Sequence, residues 1–172
     1  REPVAGRIYP AVVTYLVIYA AMNLGAFAVV IAVARRTRSA EITSFSGLFT
    51  YAPGLTVAMT FFLASFIGIP PLAGWWAKFG VMSVLIGAES LWAYGLALVL
   101  AVNTAIAAYY YLNVAKTMWF DEAPEGENPA IEVPPSLRTA LVITVVATVL
   151  LGVLPGLLSD ATSVGPSLFA GI

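Results

Sequence analysis

The 172-residue sequence contains no cysteine and no histidine. Thiolate-held iron–sulfur clusters, histidine-ligated haem and ordinary zinc sites all need one of these residue types. Any electron transfer linked to this chain is therefore expected in other polypeptides. The absence of cysteine suits either side of a membrane, so it assigns no redox compartment.

Charge is scarce as well. Only 10% of the residues are charged and 60% are hydrophobic, whereas soluble domains carry about 25% charged residues. The net charge of −1 gives no electrostatic basis for binding nucleic acid. This composition indicates that lipid, and not water, is the main solvent of the chain.

Four apolar stretches are long enough to cross a hydrocarbon core about 30 Å thick, which needs about 20 residues of helix. They cover residues 9–34, 53–87, 91–120 and 137–158. The sequence therefore predicts an all-α membrane protein with about four transmembrane helices, forming one domain over residues 1–172. The segment 121–136 is rich in acidic residues and proline and is expected to be a solvated loop.

Three arginines, Arg35, Arg36 and Arg38, follow the first stretch. Basic residues resist translocation, so this cluster predicts that the loop over residues 35–52 is cytoplasmic. Counting spans onward places the loop 121–136 on the same side and the C-terminus outside. The sequence opens with Arg1 and runs directly into a span, so we expect a piece of a longer polypeptide whose missing part is N-terminal.

The second stretch is too long for one simple span and contains Gly68, Pro70, Pro71 and Gly74 near its middle. Proline removes a backbone donor and clashes with the preceding turn, so the hydrogen-bond ladder must open there. Open backbone at bilayer depth is tolerated where protein or water satisfies it, as along the ion pathways of transporters. The pattern predicts a broken transmembrane helix, with a simple proline kink as the alternative.

Lys78 is the one ionisable residue in the interior of the predicted spans. A lysine at the bilayer centre costs about 2.5 to 3.5 kcal/mol, so we expect it to have a use. Desolvation disfavours the charged form, which allows a buried lysine both to hold and to release a proton. We therefore predict that Lys78 is a proton carrier. A structural ion pair with a carboxylate on another helix is the alternative.

Three further residues are candidates for a proton relay. Asn103 and Thr104 lie in the middle of the third stretch, and Lys116 lies near its predicted cytoplasmic end. Polar side chains inside spans usually form interhelical hydrogen bonds, although they can also hold water in a relay. For Lys116 a positive-inside anchor is the simpler explanation.

Three segments resemble a known family. Residues 66–79 read Phe-Ile-Gly-Ile-Pro-Pro-Leu-Ala-Gly-Trp-Trp-Ala-Lys-Phe, residues 103–112 read Asn-Thr-Ala-Ile-Ala-Ala-Tyr-Tyr-Tyr-Leu, and residues 19–27 read Tyr-Ala-Ala-Met-Asn-Leu-Gly-Ala-Phe. Together they resemble the antiporter-like membrane subunits of bacterial NADH-quinone oxidoreductase, or respiratory complex I, and subunit N in particular. The resemblance covers most of residues 9–120 and fades beyond them.

The resemblance implies the C-terminal part of an antiporter-like fold, built from inverted repeats that each contain one broken helix. Gly68 to Gly74 match the second of these breaks, and Lys78 matches the buried lysine that follows it. The glutamate and two lysines of the family's first half have no counterpart in this sequence. Subunit M carries a glutamate at the position of Lys78, and the long lateral helix of subunit L has no match after Asp160.

The function implied is that of a proton-translocating membrane-arm subunit, in which quinone reduction in partner subunits drives proton transfer through the lysine. It would be a non-redox subunit of the enzyme in the bacterial inner membrane. Flavin, iron–sulfur clusters and quinone are expected in the partner subunits, with no cofactor or metal in this chain. Expected partners are the other membrane-arm subunits and the lipid bilayer, with protons and water as the only small substrates. Two alternatives stay open, a cation/proton antiporter subunit of the Mrp type and a structural membrane scaffold.

Overall fold

The structure is a computed structural model that describes residues 4–124, 130–154 and 156. Within these residues all regular secondary structure is helical, which confirms the predicted all-α membrane class. The helices are α1 (Val4–Thr37), α2 (Leu48–Tyr51), α3 (Pro53–Ile67), α4 (Ala73–Gly87), α5 (Leu91–Phe120) and α6 (Pro135–Val153), with a short 3₁₀ helix at Ile42–Phe45.

Three of the helices, α1, α5 and α6, are each long and apolar enough to cross a membrane alone within the described part of the chain. Helix α5 coincides with the predicted third stretch. Helix α1 is longer than the predicted stretch 9–34. The prediction ended the stretch at the first charged residues, but a helix can continue past them because its backbone hydrogen bonds also form in water. Its 34 residues span about 51 Å, well beyond the hydrocarbon core.

Helix α6, which corresponds to the fourth predicted stretch, ends before residue 158, the predicted end. Helix α6 begins with Pro135, a residue that suits the first helical position because its missing N–H would have no partner there. It ends at Val153, where Leu154 leaves the helical region with φ −122° and ψ 66°. Residues 155, 157 and 158 lie outside the described part.

The predicted broken helix is present as the pair α3 and α4, separated by residues 68–72. Helices α1 and α5 each pack against both halves, and α6 packs mainly against α1 and α4. Two long helices therefore contact both sides of the break along the chain. Around it lies a small core of Ile18, Met22, Ala73 and Ala77, whereas a larger core fills the end of the bundle next to α2.

Both predicted cytoplasmic loops contact the larger core. In the segment 35–52, the side chains of Phe45, Leu48 and Tyr51 are buried in the larger core. In the segment 121–136, Ala123, Ile131 and Val133 pack against the same core. None of the described residues of this segment is buried, so it stays in contact with solvent while these three apolar side chains are partly covered by the core.

Candidate functional site

The end of α3 is closed by Gly68, which has left-handed backbone angles of φ 91° and ψ 43°. Its N–H donates to the carbonyl oxygens of Ala64 and Ser65 at 3.1 and 3.0 Å, and the N–H of Ile69 donates to Ala64 at 3.2 Å. This is the pattern of a Schellman motif, in which a glycine supplies the positive φ at no steric cost. The predicted break therefore begins with a regular helix terminus.

The side chain of Lys78 satisfies the remaining carbonyl groups of this terminus. A helix leaves its last four carbonyls without an intrahelical partner, and the Schellman motif accounts for two of them. The Nζ of Lys78 donates to the other two, Phe66 O at 2.8 Å and Ile67 O at 3.2 Å. Lys78 sits one turn into α4, so the second half-helix supplies the cap of the first.

The electrostatics of this arrangement favour a cation. The C-terminus of a helix carries a partial negative charge of about −0.5, and cations are stabilised there. The ammonium of Lys78 is half-buried, and among the described residues no carboxylate lies within salt-bridge distance of it. A structural ion pair would therefore have no carboxylate for Lys78 in this part of the chain. The dipoles of the backbone carbonyls stabilise the ammonium instead.

The start of α4 is tied back to α3 through Ser65. The Oγ of Ser65 accepts a hydrogen bond from the N–H of Gly74 at 3.1 Å and donates to the sulfur of Met22 on α1 at 2.8 Å. A side chain at Gly74 would overlap the carbonyl group of Ser65. Pro70 and Pro71 lie in the non-helical stretch between these contacts. Because Gly74 has no side chain, α3 and α4 can pack close together at this point.

Ser65→Ala is expected to lower the free energy of unfolding by about 1 to 3 kcal/mol, because the buried N–H of Gly74 would lose its acceptor. Thermal unfolding of the full-length protein in detergent measures this change. Ser83→Ala is the matched control, since the Oγ of Ser83 only donates to Gly80 O within α4. Equal midpoints for the two variants would contradict the assigned bond.

A cavity of about 300 Å³ opens beside Lys78, between α1, α3, α4 and α5. Seven of its thirteen lining residues have polar side chains. Besides Lys78 these are Tyr15, Tyr19, Ser65, Asn103, Thr104 and Tyr111. The structure therefore brings Lys78 and two of its three predicted relay partners to one space.

Helix α5 contributes one face to this cavity. Asn103, Thr104 and Tyr111 line it, at a spacing that repeats the helical period. The hydroxyl of Thr104 donates to Leu100 O at 2.8 Å, which leaves its lone pairs free to accept, while the amide of Asn103 has no hydrogen bond among the described residues. Lys116 does not line the cavity and is exposed. It lies about 7 to 8 Å along the helix beyond Tyr111.

Aromatic rings on three helices frame the cavity, and most were not singled out from the sequence. Tyr15 stacks on Tyr19 at 5.8 Å between ring centroids, Tyr19 meets Phe66 edge-on at 5.9 Å, and Phe66 stacks on Tyr111 at 5.5 Å. Tyr15, Tyr19 and Met22 recur at helical spacing on α1, which is the signal that marks them as one face.

A second contact at the break was also missed. The indole N–H of Trp76 donates to Gly152 O at 2.8 Å, near the end of α6. A side chain at Gly152 would come within 2.7 Å of Pro71 O. The first turns of α4 therefore cap two helix ends, that of α3 through Lys78 and that of α6 through Trp76.

Comparison with known proteins gives consistent results. Residues 4–104 match the family described as NADH:quinone oxidoreductase/Mrp antiporter, TM. The chain is 43% identical over 144 residues to NADH-quinone oxidoreductase subunit N of Paenibacillus sp. (strain JDR-2), covering 84% of this chain and 27% of that protein. It is 39% identical to subunit N of Heliobacterium modesticaldum, covering 90% of this chain and 32% of that protein.

A solved structure agrees with these relatives. A chain of respiratory complex I from Thermus thermophilus with bound aureothin is similar with a TM-score of 0.70 and 30% identity, over 90% of this chain and 34% of that one. The chain thus spans between 27% and 34% of the length of these three proteins. The resemblance found in the sequence is confirmed, and the chain belongs to the NADH:quinone oxidoreductase/Mrp antiporter transmembrane family.

Proposed function

We propose that this chain is the C-terminal part of a proton-translocating membrane-arm subunit of respiratory complex I, and that Lys78 carries the proton. One observation supports this most strongly. The ammonium of Lys78 bonds to two carbonyl oxygens of a broken helix, and Lys78 at the same time lines a cavity with six other polar side chains. A proton can thus reach and leave the nitrogen from the cavity side.

The ligands of the ammonium suit a carrier better than an anchor. Two carbonyl dipoles stabilise a cation by charge-assisted hydrogen bonds, yet neither holds a full negative charge. A lysine paired to a buried carboxylate would lose its proton only by leaving an uncompensated charge in the membrane. With carbonyl partners, deprotonation leaves a neutral amine and a helix end that water in the cavity is able to solvate.

The proposed relay around Lys78 consists of side chains that both accept and donate hydrogen bonds. The hydroxyls of Tyr15, Tyr19 and Tyr111 and the side chains of Asn103 and Thr104 line the cavity. Its volume of about 300 Å³ has room for several waters, each of which occupies about 30 Å³. Lys116 lies outside this cavity, so we assign it to anchoring and not to the relay.

The driving reaction belongs to other subunits. Quinone reduction there would shift the equilibrium between the protonated and neutral forms of Lys78 through conformational coupling. We propose that this chain is a non-redox part of the enzyme, embedded in the bacterial inner membrane among the other membrane-arm subunits. The arginines after α1 favour a cytoplasmic position for the loops 35–52 and 121–136 and an outer position for the C-terminus.

A second candidate is a cation/proton antiporter subunit of the Mrp type, which the description of the matched family includes. In that case the same lysine would exchange protons for sodium. The two proposals agree on Lys78 and differ in the second ion.

Transport by the intact assembly in proteoliposomes separates these candidates. A pH-sensitive dye inside the vesicles should report proton uptake driven by NADH oxidation, at the same rate whether sodium or potassium is present. Uptake of radioactive sodium by the same vesicles measures directly the sodium transport that the antiporter proposal requires. Sodium movement that follows proton movement in a fixed ratio would favour the antiporter, and proton uptake that requires sodium would contradict our proposal.

A further inference from the structure

A second cavity, larger and of different character, lies at the other end of the bundle. Its volume is about 590 Å³, and it forms a groove between the beginning of α3, the beginning of α6 and residues 130–133. Twelve of its fourteen lining residues are apolar or glycine. The two exceptions are Tyr51 and Arg138. Neither is used by the proposed proton path.

The groove runs along helix α6, and its length is close to the depth of one leaflet of the bilayer. On α6 it is lined by Arg138, Leu141, Val142, Val145 and Val146, a face that recurs at helical spacing. From Arg138 to Val146 this face is about 12 Å long. One leaflet of the hydrocarbon core is about 15 Å deep. A chain in the groove would therefore run along the helix for most of one leaflet.

The charge at the groove is positive and has no partner within the described part of the chain. The guanidinium of Arg138 is exposed, and none of the described residues forms a hydrogen bond or ion pair with it. None of the lining residues in the described part of the chain is acidic. Glu132 is the nearest carboxylate in sequence to the lining residues Ile131 and Val133, but it is exposed and does not line the groove.

The N-termini of two helices add to the positive electrostatic potential at the groove. The start of α3 lines the groove from Ala52 to Leu55, and α6 lines it from Arg138, three residues after its first residue, so the positive ends of both helix dipoles lie near it. Gly54, one residue into α3, lines the groove and has nothing within 4 Å of the position of a Cβ. The lining of the groove thus includes both a charged donor, Arg138, and open space at Gly54.

We propose that this groove binds one anionic phospholipid, with its phosphate at Arg138 and one acyl chain along the apolar face of α6. A quinone has a long apolar tail but a neutral head, so it leaves the guanidinium unmatched. A protein segment would cover the apolar face but gives no reason for a lone arginine at its rim. Basic pockets between transmembrane helices on the cytoplasmic side typically bind anionic lipid head groups.

Photo-crosslinking in the intact membrane assembly tests this site. The probe is phosphatidylglycerol with a photoactivatable diazirine in one acyl chain, and phosphatidylcholine with the same chain is the comparison lipid. Labelled peptides mapped by mass spectrometry should fall on α3 near Leu55 and on α6 between Leu141 and Val146. Phosphatidylglycerol should label them more strongly than phosphatidylcholine.

Two variants with matched controls decide the assignment. Arg138→Gln should lower labelling by phosphatidylglycerol about fivefold, the factor expected for one basic residue near a membrane surface, whereas Arg35→Gln should leave it unchanged. Val146→Trp should fill the groove and remove labelling by either lipid. Ile143→Trp is the control on another exposed face of α6, and it should not affect labelling.

Two outcomes would overturn the proposal. Equal labelling by the two lipids, unaltered by Arg138→Gln, would show that the head group is not recognised. No labelling of the wild-type assembly would show that protein covers the groove. If Val146→Trp fails to assemble, the comparison of Arg138→Gln with Arg35→Gln still decides. None of these results depends on whether Lys78 carries protons.

Discussion

Gly74→Ala is expected to reduce the amount of assembled protein severely, with a loss of about 3 kcal/mol in the free energy of unfolding. The added methyl group would overlap the carbonyl of Ser65, whose side chain also accepts the hydrogen bond from Gly74. Because the obstacle is backbone and not the end of a flexible side chain, only separation of the half-helices relieves the clash. Native gels of membranes that express the full-length protein measure assembly.

Gly80→Ala is the matched control for this variant. Gly80 lies on the same helix, and a Cβ there would have nothing within 4 Å. Alanine is the better helix former by about 1 kcal/mol, so this variant should assemble at least as well as the wild type. If Gly74→Ala assembled equally well, the close approach of α3 and α4 at the break would be wrong.

The break was predictable because its signals are local. Pro70 and Pro71 in an apolar run must open the helix whatever surrounds them, and Gly68 supplies the left-handed residue that ends α3. Lys78 stands out for a similar reason, since one charge in a long apolar stretch is costly in any arrangement. The order of long helices likewise follows from hydropathy alone.

The partners at the break were not predictable in the same way. Ser65 bonds to Met22, which lies 43 positions earlier in the chain, and nothing in the surrounding sequence separates this serine from Ser83. Trp76 and Gly152 are similarly remote. Such contacts depend on which helix faces which, and this is decided by packing of the whole bundle.

The relay prediction shows the same limit. Asn103, Thr104 and Lys116 are polar or charged residues of one long helix. Their positions favour Asn103 and Thr104, which lie at mid-span, over Lys116, which suits a positive-inside anchor, but they do not show which helices face these side chains. The structure places the first two at the cavity and leaves Lys116 away from it. What the sequence could not show is that Asn103 and Thr104 share a cavity with Lys78, since this depends on how α5 packs against the two half-helices.

The role of Lys78 is tested best by substitutions that separate charge from proton exchange. Lys78→Arg keeps the positive charge and the hydrogen-bond donors for Phe66 O and Ile67 O, but a guanidinium does not deprotonate in proteins. If Lys78 carries the proton, this variant should assemble normally and still lose pumping. Transfer through this site should slow by about 100-fold, as for removal of a general acid–base group. If the lysine only caps α3 as part of a scaffold, Lys78→Arg should pump at the wild-type rate.

Lys78→Met completes the comparison, because it removes both the charge and the donors. The carbonyls of Phe66 and Ile67 would then lose both donors that Lys78 supplies and depend on water in the cavity, and each lost hydrogen bond costs about 1 kcal/mol. This variant should lose pumping and some stability, while Lys116→Met should lose neither, since Lys116 is exposed and off the cavity. Protons pumped per NADH oxidised in proteoliposomes, measured beside the unfolding temperature of each variant, separate the two effects. Retained pumping in Lys78→Met would exclude the lysine as carrier, because methionine has no proton to exchange.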